Sequence, residues 1–144
     1  MMLLYRISLT LLLINLNINF TYSQVADADI FFQKGILNEE SGNYQKALEY
    51  YSKAIDKDSL NPKYYCYRGF CYQFLGEINE NFYNLAITDI NMSIKIDTTY
   101  SEGYYKLGIV RSNMKQNELA CDAWEKAFNL GNNKAKVNLD EYCK

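Results

Sequence analysis

Residues 42–58 read GNYQKALEYYSKAIDKD, and this stretch decides the fold. At helical period its apolar residues fall on one face, whereas Glu49, Lys53 and Asp56 fall off that face. Ala47 and Ala54 lie on the apolar face, and their small side chains allow a neighbouring helix to approach closely. The stretch therefore predicts an amphipathic helix packed tightly against a partner helix.

The same skeleton occurs twice more along the chain. Residues 86–97 read AITDINMSIKID and residues 120–130 read ACDAWEKAFNL. The position of Tyr51 is taken by Ile90 in the second copy and by Trp124 in the third. Internal repetition at this length is typical of an array of helical pairs.

Three glycines mark the first helix of each pair and show where the repeat is interrupted. Gly35 and Gly69 are 34 residues apart, whereas Gly69 and Gly108 are 39 apart. The five extra residues lie in the turn around residues 76–81, where the sequence predicts an enlarged polar loop. Such a loop is either decoration or a contact loop.

Composition excludes several classes of function. The 144 residues carry a formal net charge of −2, and the absence of a basic run speaks against a nucleic-acid partner. The chain has no histidine, which removes the commonest general base and the commonest metal ligand. No phosphate loop, paired-carboxylate motif or nucleophile motif appears, so the sequence predicts a non-catalytic protein without a metal or cofactor.

Residues 1–23 have the pattern of a secretory signal peptide. Arg6 supplies a positive charge, residues 7–16 form a short apolar segment, and Thr21 and Ser23 are small residues before Gln24. Because a bilayer span needs roughly 20 apolar residues, we expect no stable membrane helix. The pattern predicts export to the periplasm or the secreted space, with an uncleaved anchor or a misassigned start as the alternative.

The repeated positions resemble the tetratricopeptide repeat. The third copy carries Tyr104, Leu107, Gly108, Ala120, Trp124 and Ala127 at the family's positions, and the other two copies run in phase with it. Lys115 departs from the pattern, which usually has glycine there. Residues 127–135 also resemble the ending of Sel-one-like repeats.

The resemblance implies an all-α, right-handed solenoid of three antiparallel helix pairs closed by a C-terminal capping helix. We expect a signal peptide at residues 1–23 and a repeat domain at residues 24–144. The repeats are placed at about residues 28–61, 62–100 with the insertion, and 101–134, and the capping helix at residues 135–144.

In this family the first helices of the pairs line a concave surface that holds a partner's peptide or helix. Carried over position by position, this implies a partner-binding groove that consists of Phe32, Ile36, Tyr67, Phe70, Phe74, Tyr105, Lys106 and Ile109. Large rings are typical of binding hot spots. The alternative is that several of these rings only pack between helices.

A subset of the family grips C-terminal carboxylates with Lys and Asn side chains. At the positions where that subset carries these side chains, this sequence has Phe32, Ile36, Tyr67, Glu102 and Lys106. Only Lys106 can bind a carboxylate in this way. Chaperone-tail binding of this type is therefore not expected.

The cysteines allow one disulfide. Because an exported chain meets an oxidising compartment, Cys121 and Cys143 are predicted to bridge and pin the capping helix, with free thiols as the alternative. Cys71 is predicted to be a core residue and Cys66 to face the groove.

These observations predict an exported protein-binding module that holds a protein or peptide in an aromatic groove. The alternative is a structural subunit of a larger envelope assembly or a homo-oligomer.

Overall fold

Helices account for nearly all of the described chain. The computed structural model describes residues 2–76 and 79–143, and within residues 2–22 it describes the side chains of residues 12, 14–16 and 18 only. Over this part of the chain there are seven helices and no strand. They are α1 (Met2–Glu40), α2 (Tyr44–Lys57), α3 (Pro62–Gly76), α4 (Asn81–Ile96), α5 (Ser101–Asn113), α6 (Asn117–Asn129) and α7 (Lys134–Tyr142).

The helices form three pairs and a cap, as the sequence predicted. α1 packs on α2, α3 on α4, and α5 on α6, while α2–α3 and α4–α5 contacts join successive pairs. α7 packs on α6. The architecture is an all-α solenoid in which the first helices of the pairs lie side by side.

Residues with positive φ lie in the turns after α1, α5 and α6. Gly42 follows α1 with φ of 74°, and Gly131 follows α6 with φ of 89°. Lys115, where the repeat pattern has glycine, adopts φ of 59° between α5 and α6. The turn therefore keeps the geometry that glycine would give it, at a cost of about 1 kcal/mol for a residue with a side chain.

The first helix is longer than the sequence analysis predicted. The sequence analysis placed the first repeat at about residues 28–61, whereas α1 runs without a break from Met2. No proline or glycine occurs before Gly35, so nothing in the sequence interrupts helical hydrogen bonding there.

The apolar side chains described in the first half of α1 face solvent. Leu12, Ile14, Leu16 and Ile18 are each more than half exposed. Over residues 2–76 and 79–143, no helix combines the length and the apolar character that crossing a bilayer requires. The first fully buried side chain described is that of Ala28.

The repeated positions form the core. Tyr51 and Ile90 are 0 % exposed and Trp124 is 1 % exposed, each at the centre of one of three apolar clusters. The alanines at the flanking positions are also buried because the neighbouring helix lies directly against them.

An ion pair that the sequence analysis did not foresee connects three helices. The Arg68 guanidinium on α3 donates to both carboxylate oxygens of Asp89 on α4, at 2.7 and 2.9 Å. It also donates to the Ser52 hydroxyl on α2 at 3.1 Å. The bidentate contact holds α3 and α4 together. The bond to Ser52 joins the first repeat to the second.

A disulfide holds the end of the capping helix. The Cys121 and Cys143 sulfurs are 1.98 Å apart, which is the pairing that the sequence analysis predicted. α7 buries only Ala135 completely, but the Tyr142 ring lies 5.8 Å from the Trp124 ring. The cap is thus held by one small core contact, one ring contact and one covalent bond.

Candidate functional site

The candidate site is the surface formed by the second half of α1 together with α3 and α5. The Tyr64 hydroxyl on α3 donates to the Asp29 carboxylate on α1 at 2.7 Å. At the other side of α3, Asn113 on α5 donates to the Gln73 side-chain oxygen at 3.0 Å. These two bonds fix the spacing of the three helices across the surface.

A series of aromatic rings runs over this surface. The Phe32 and Tyr67 ring centroids are 5.1 Å apart in an edge-to-face arrangement. Phe70 and Phe74 form a second edge-to-face pair at 5.5 Å, and Phe74 stacks on Tyr44 at 4.5 Å. Both geometries are favourable for aromatic pairs, so the rings hold one another in place. We call the surface formed by Tyr44, Tyr67, Phe70, Phe74 and Lys106 the aromatic groove.

Lys106 supplies a cation to the middle of the aromatic groove. Its ammonium nitrogen lies 3.6 Å from the Phe70 ring centroid and 4.5 Å from that of Tyr67. The residue is only 7 % exposed. Because a cation over a ring face is attracted by the ring's π-electrons, the two rings compensate part of the cost of burying the charge.

Two carboxylates balance this cation. Glu102 Oε1 lies 3.8 Å from the Lys106 nitrogen, and its other oxygen accepts a hydrogen bond from Asn132 at 3.0 Å. Glu39 accepts a hydrogen bond from the Tyr51 hydroxyl at 2.5 Å. Burial raises the pKa of the Glu39 carboxyl, while the Tyr51 bond and the Lys106 charge act in the opposite direction. The centre of the groove is therefore polar beneath its rings.

The structure divides the eight predicted groove residues into three sets. Tyr67, Phe70, Phe74 and Lys106 lie together in the aromatic groove. Tyr105 and Ile109 are half-buried and pack against the cluster around Trp124. Phe32 and Ile36 belong to the first core cluster.

The placement of Phe32 corrects the expectation that its ring faces a partner. It is 6 % exposed, since the rings of Tyr51, Tyr64 and Tyr67 pack around it within 5.7 Å. Cys66, which was expected to face the groove, is fully buried, and burial raises its pKa to about 12. Both side chains lie where a neighbouring helix covers them.

Tyr44 is a groove residue that the sequence analysis missed. It begins α2, and its place on the apolar face of that helix predicted only a core role. The tight turn at Gly42 brings the start of α2 beside the end of α3, which places Tyr44 against Phe74. No sequence signal distinguishes this position from a buried one.

The site shows no arrangement suited to metal-dependent chemistry. Over the described residues, no three side chains of histidine, cysteine, aspartate or glutamate come together as a set that could hold a metal ion. The surface carries partly exposed aromatic rings, one cation and two carboxylates. Groups of these kinds are suited to recognising another molecule.

Comparison with known proteins shows which family and which solved structures the chain resembles. Residues 28–61 match the family described as "Tetratricopeptide repeat", and these are the bounds of the first predicted repeat. Solved structures that resemble the chain include the "Arabidopsis OM64 TPR domain", with a TM-score of 0.74, 22% identity and coverage of 83% of this chain and 96% of that one. The fold is that of a tetratricopeptide-repeat (TPR) domain. The Sel-one-like ending stays a prediction.

A second TPR structure was solved with a peptide. It is the "First TPR of Spaghetti (RPAP3) bound to HSP90 peptide SRMEEVD", with a TM-score of 0.72, 24% identity and coverage of 82% of this chain and 91% of that one.

Sequence relatives include two longer proteins. "Heat shock protein STI1" of Saccharomyces cerevisiae is 31% identical over 117 residues, which are 79% of this chain and 19% of that protein. "DnaJ homolog subfamily C member 7" of Homo sapiens is 26% identical over 114 residues, which are 79% of this chain and 22% of that protein. The TPR chain thus spans about a fifth of the length of these curated relatives.

Proposed function

We propose that this chain is a non-catalytic protein-binding module that holds a peptide or helix of a partner in the aromatic groove. The observation that carries the proposal is the set of half-buried rings, Tyr44, Tyr67, Phe70 and Phe74, held edge-to-face or stacked around Lys106. Rigid rings bury large areas at low cost in side-chain entropy, which suits them to binding hot spots.

The neighbouring structures support a peptide as the ligand. Solved relatives hold an HSP90 peptide, SRMEEVD, and an HSP70 peptide, SGPTIEEVD. Those titles describe other proteins, and this chain matches the two structures at 24% and 23% identity. They favour a short peptide segment of a partner as the ligand of this chain.

The groove chemistry argues against an acidic C-terminal tail as the ligand. Of the five positions at which the family's carboxylate-binding members carry basic or amide side chains, only Lys106 is basic. Its ammonium already lies 3.8 Å from Glu102 and over two rings. A carboxylate of the ligand that bound Lys106 would lie close to Glu102 and Glu39, and like charges repel. We therefore infer a ligand that presents apolar or aromatic side chains to the rings.

The proposal is tested by cross-linking the chain in its native host and identifying the bound segment by mass spectrometry. The segment's affinity is then measured by calorimetry for the wild type, Phe74→Ala and Phe128→Ala. Phe128 on α6 is 38% exposed and lies outside the groove, so it is a matched control. We expect Phe74→Ala to weaken binding by more than about 1 kcal/mol and Phe128→Ala to have little effect.

Circular dichroism must show both variants folded. Equal losses in both variants, or undiminished binding by a folded Phe74→Ala, would place the ligand elsewhere. The peptide SRMEEVD serves as a second probe, and binding as tight as that of the identified segment would contradict our inference about the ligand.

We also propose that residues 1–23 are a leader removed on export to the periplasm or the secreted space. The described side chains before Gln24 are exposed, and complete burial begins at Ala28, so cleavage there would leave the core intact. N-terminal sequencing of the chain isolated from its host checks this. A chain that starts at Gln24 supports the proposal, whereas one that retains the apolar segment refutes it.

A further inference from the structure

The insertion in the second repeat changes the start of α4. α2 and α6 begin three residues before their marker alanines, whereas α4 begins at Asn81, five residues before Ala86. The two additional residues, about half a helical turn, bring in Phe82, whose ring stacks on Tyr72 with centroids 6.0 Å apart. Neither neighbouring repeat has a ring at this place.

Phe82 forms one wall of an open groove of about 780 Å³ between α2 and α4. All but one of its lining residues lie on α2 and α4, the second helices of their pairs, and the exception is Tyr72 on α3. It shares no residue with the aromatic groove. We call it the α2–α4 groove. Its lining residues are Gln45, Leu48, Glu49, Ser52, Lys53, Asp56, Tyr72, Phe82 and Leu85.

The floor of the α2–α4 groove is apolar and accessible. Leu85 is 45% exposed, Tyr72 and Phe82 are half-buried, and Leu48 closes the base at 7% exposed. An exposed leucine beside a ring stack offers a partner apolar area that water otherwise covers. Burying such area is favourable, at roughly 25 cal/mol per Å².

The rim of the groove carries two free acids. Glu49 and Asp56 are exposed, and neither forms an ion pair within residues 2–76 and 79–143. Lys53 is the one base among the lining residues, and its ammonium lies over the Tyr50 ring at 5.3 Å from its centroid. Because the two acids are seven residues apart on α2, they are separated by about 10.5 Å along the helix axis.

We propose that the α2–α4 groove is a second docking surface, which takes an amphipathic helix of a partner protein. The helix presents an apolar stripe to Leu85, Phe82 and Tyr72, and two basic residues about two turns apart to Glu49 and Asp56. Charge complementarity sets the orientation of the helix, and the apolar floor supplies most of its affinity. This surface is separate from the one that carries the proposed function.

The test uses a synthetic helical peptide of roughly 18 residues, with a leucine stripe at helical spacing and two lysines seven positions apart. A matched peptide has both lysines replaced by glutamate. Fluorescence anisotropy with the full chain should show binding of the basic peptide and at least roughly tenfold weaker binding of the acidic one. Amide shifts in heteronuclear NMR spectra should concentrate on α2 and α4.

Protein variants locate the contact. The double variant Glu49→Lys/Asp56→Lys should weaken the basic peptide roughly tenfold, and Leu85→Ala roughly fivefold. Glu118→Lys/Glu125→Lys makes the same charge change at the same spacing on exposed positions of α6, so its effect should stay within about twofold. The folded Phe74→Ala variant should bind the basic peptide as the wild type does.

Three outcomes would overturn the proposal. They are a dissociation constant for the basic peptide above about 1 mM, equal binding of both peptides, and equal losses in the two charge-reversal variants. Self-association of the chain in sedimentation velocity that Leu85→Ala abolishes would overturn it as well, because the groove would then hold a second copy.

Discussion

Replacing Gly69 with alanine tests the physical basis of the repeat. A Cβ at this position would lie 2.8 Å from the Ala86 carbonyl oxygen and 2.9 Å from an Ile90 side-chain carbon. The oxygen belongs to the backbone of α4, so relief requires the two helices to move apart. Overpacking of this kind costs about 1–3 kcal/mol, and the gain in helix propensity from glycine to alanine offsets about 1 kcal/mol.

We therefore expect Gly69→Ala to lower the free energy of unfolding by about 1 kcal/mol. Gly103→Ala is the matched control, because its Cβ would meet only the Ile94 side chain, at 3.1 Å, and the Ser93 and Tyr100 side chains at 3.4 Å. That variant should be neutral or slightly more stable. Urea unfolding of the oxidised protein, followed by circular dichroism at constant m-value, measures both.

An unchanged stability of Gly69→Ala would refute the reasoning. In that case the helices of the second pair could separate freely, and glycine would not be required by their close approach. A loss in Gly103→Ala as large as that in Gly69→Ala would refute it as well, since it would trace both effects to something other than the carbonyl contact.

Two further predictions concern the cap and the buried acid. Replacing both Cys121 and Cys143 with serine should lower the free energy of unfolding by about 3 kcal/mol, because the crosslink restricts the unfolded chain; unchanged stability in urea unfolding would show that α7 does not depend on it. Burial raises the pKa of Glu39 in the folded state, so its contribution to stability is complete below the unfolded pKa and is lost as pH rises through the folded pKa. Glu39→Gln should therefore gain stability relative to the wild type from about pH 4 to pH 7, and a constant difference across that range would contradict the assigned cause.

The helix pairs could be predicted from the sequence because their determinants are local and repeated. Small residues at Ala47 and Ala54 with a large residue between them specify where a second helix can approach, and the same spacing recurs in each copy. The geometry of the turn before α6 did not follow from the sequence, because Lys115 stands where glycine is usual. The structure shows that Lys115 takes the conformation that glycine usually supplies.

The groove was predictable only in part. The family pattern implies which positions turn toward the concave side, and four of the predicted residues, Tyr67, Phe70, Phe74 and Lys106, lie together in the structure. It cannot indicate what fraction of a ring at such a position is buried. Phe32 is buried because tyrosines from two other helices close around it.

The sequence by itself determined the number of helix pairs, their turns, the absence of histidine chemistry and the cysteines available to hold the cap. Each of these depends on residue type and on spacing along one helix. Tertiary structure decided the contacts between residues far apart in the chain. These contacts are the stacking of Tyr44 on Phe74, the position of Lys106 over two rings and the Arg68–Asp89 ion pair. All three depend on the offset between neighbouring helices. That offset results from the packing of whole helix faces, which no single stretch of sequence encodes.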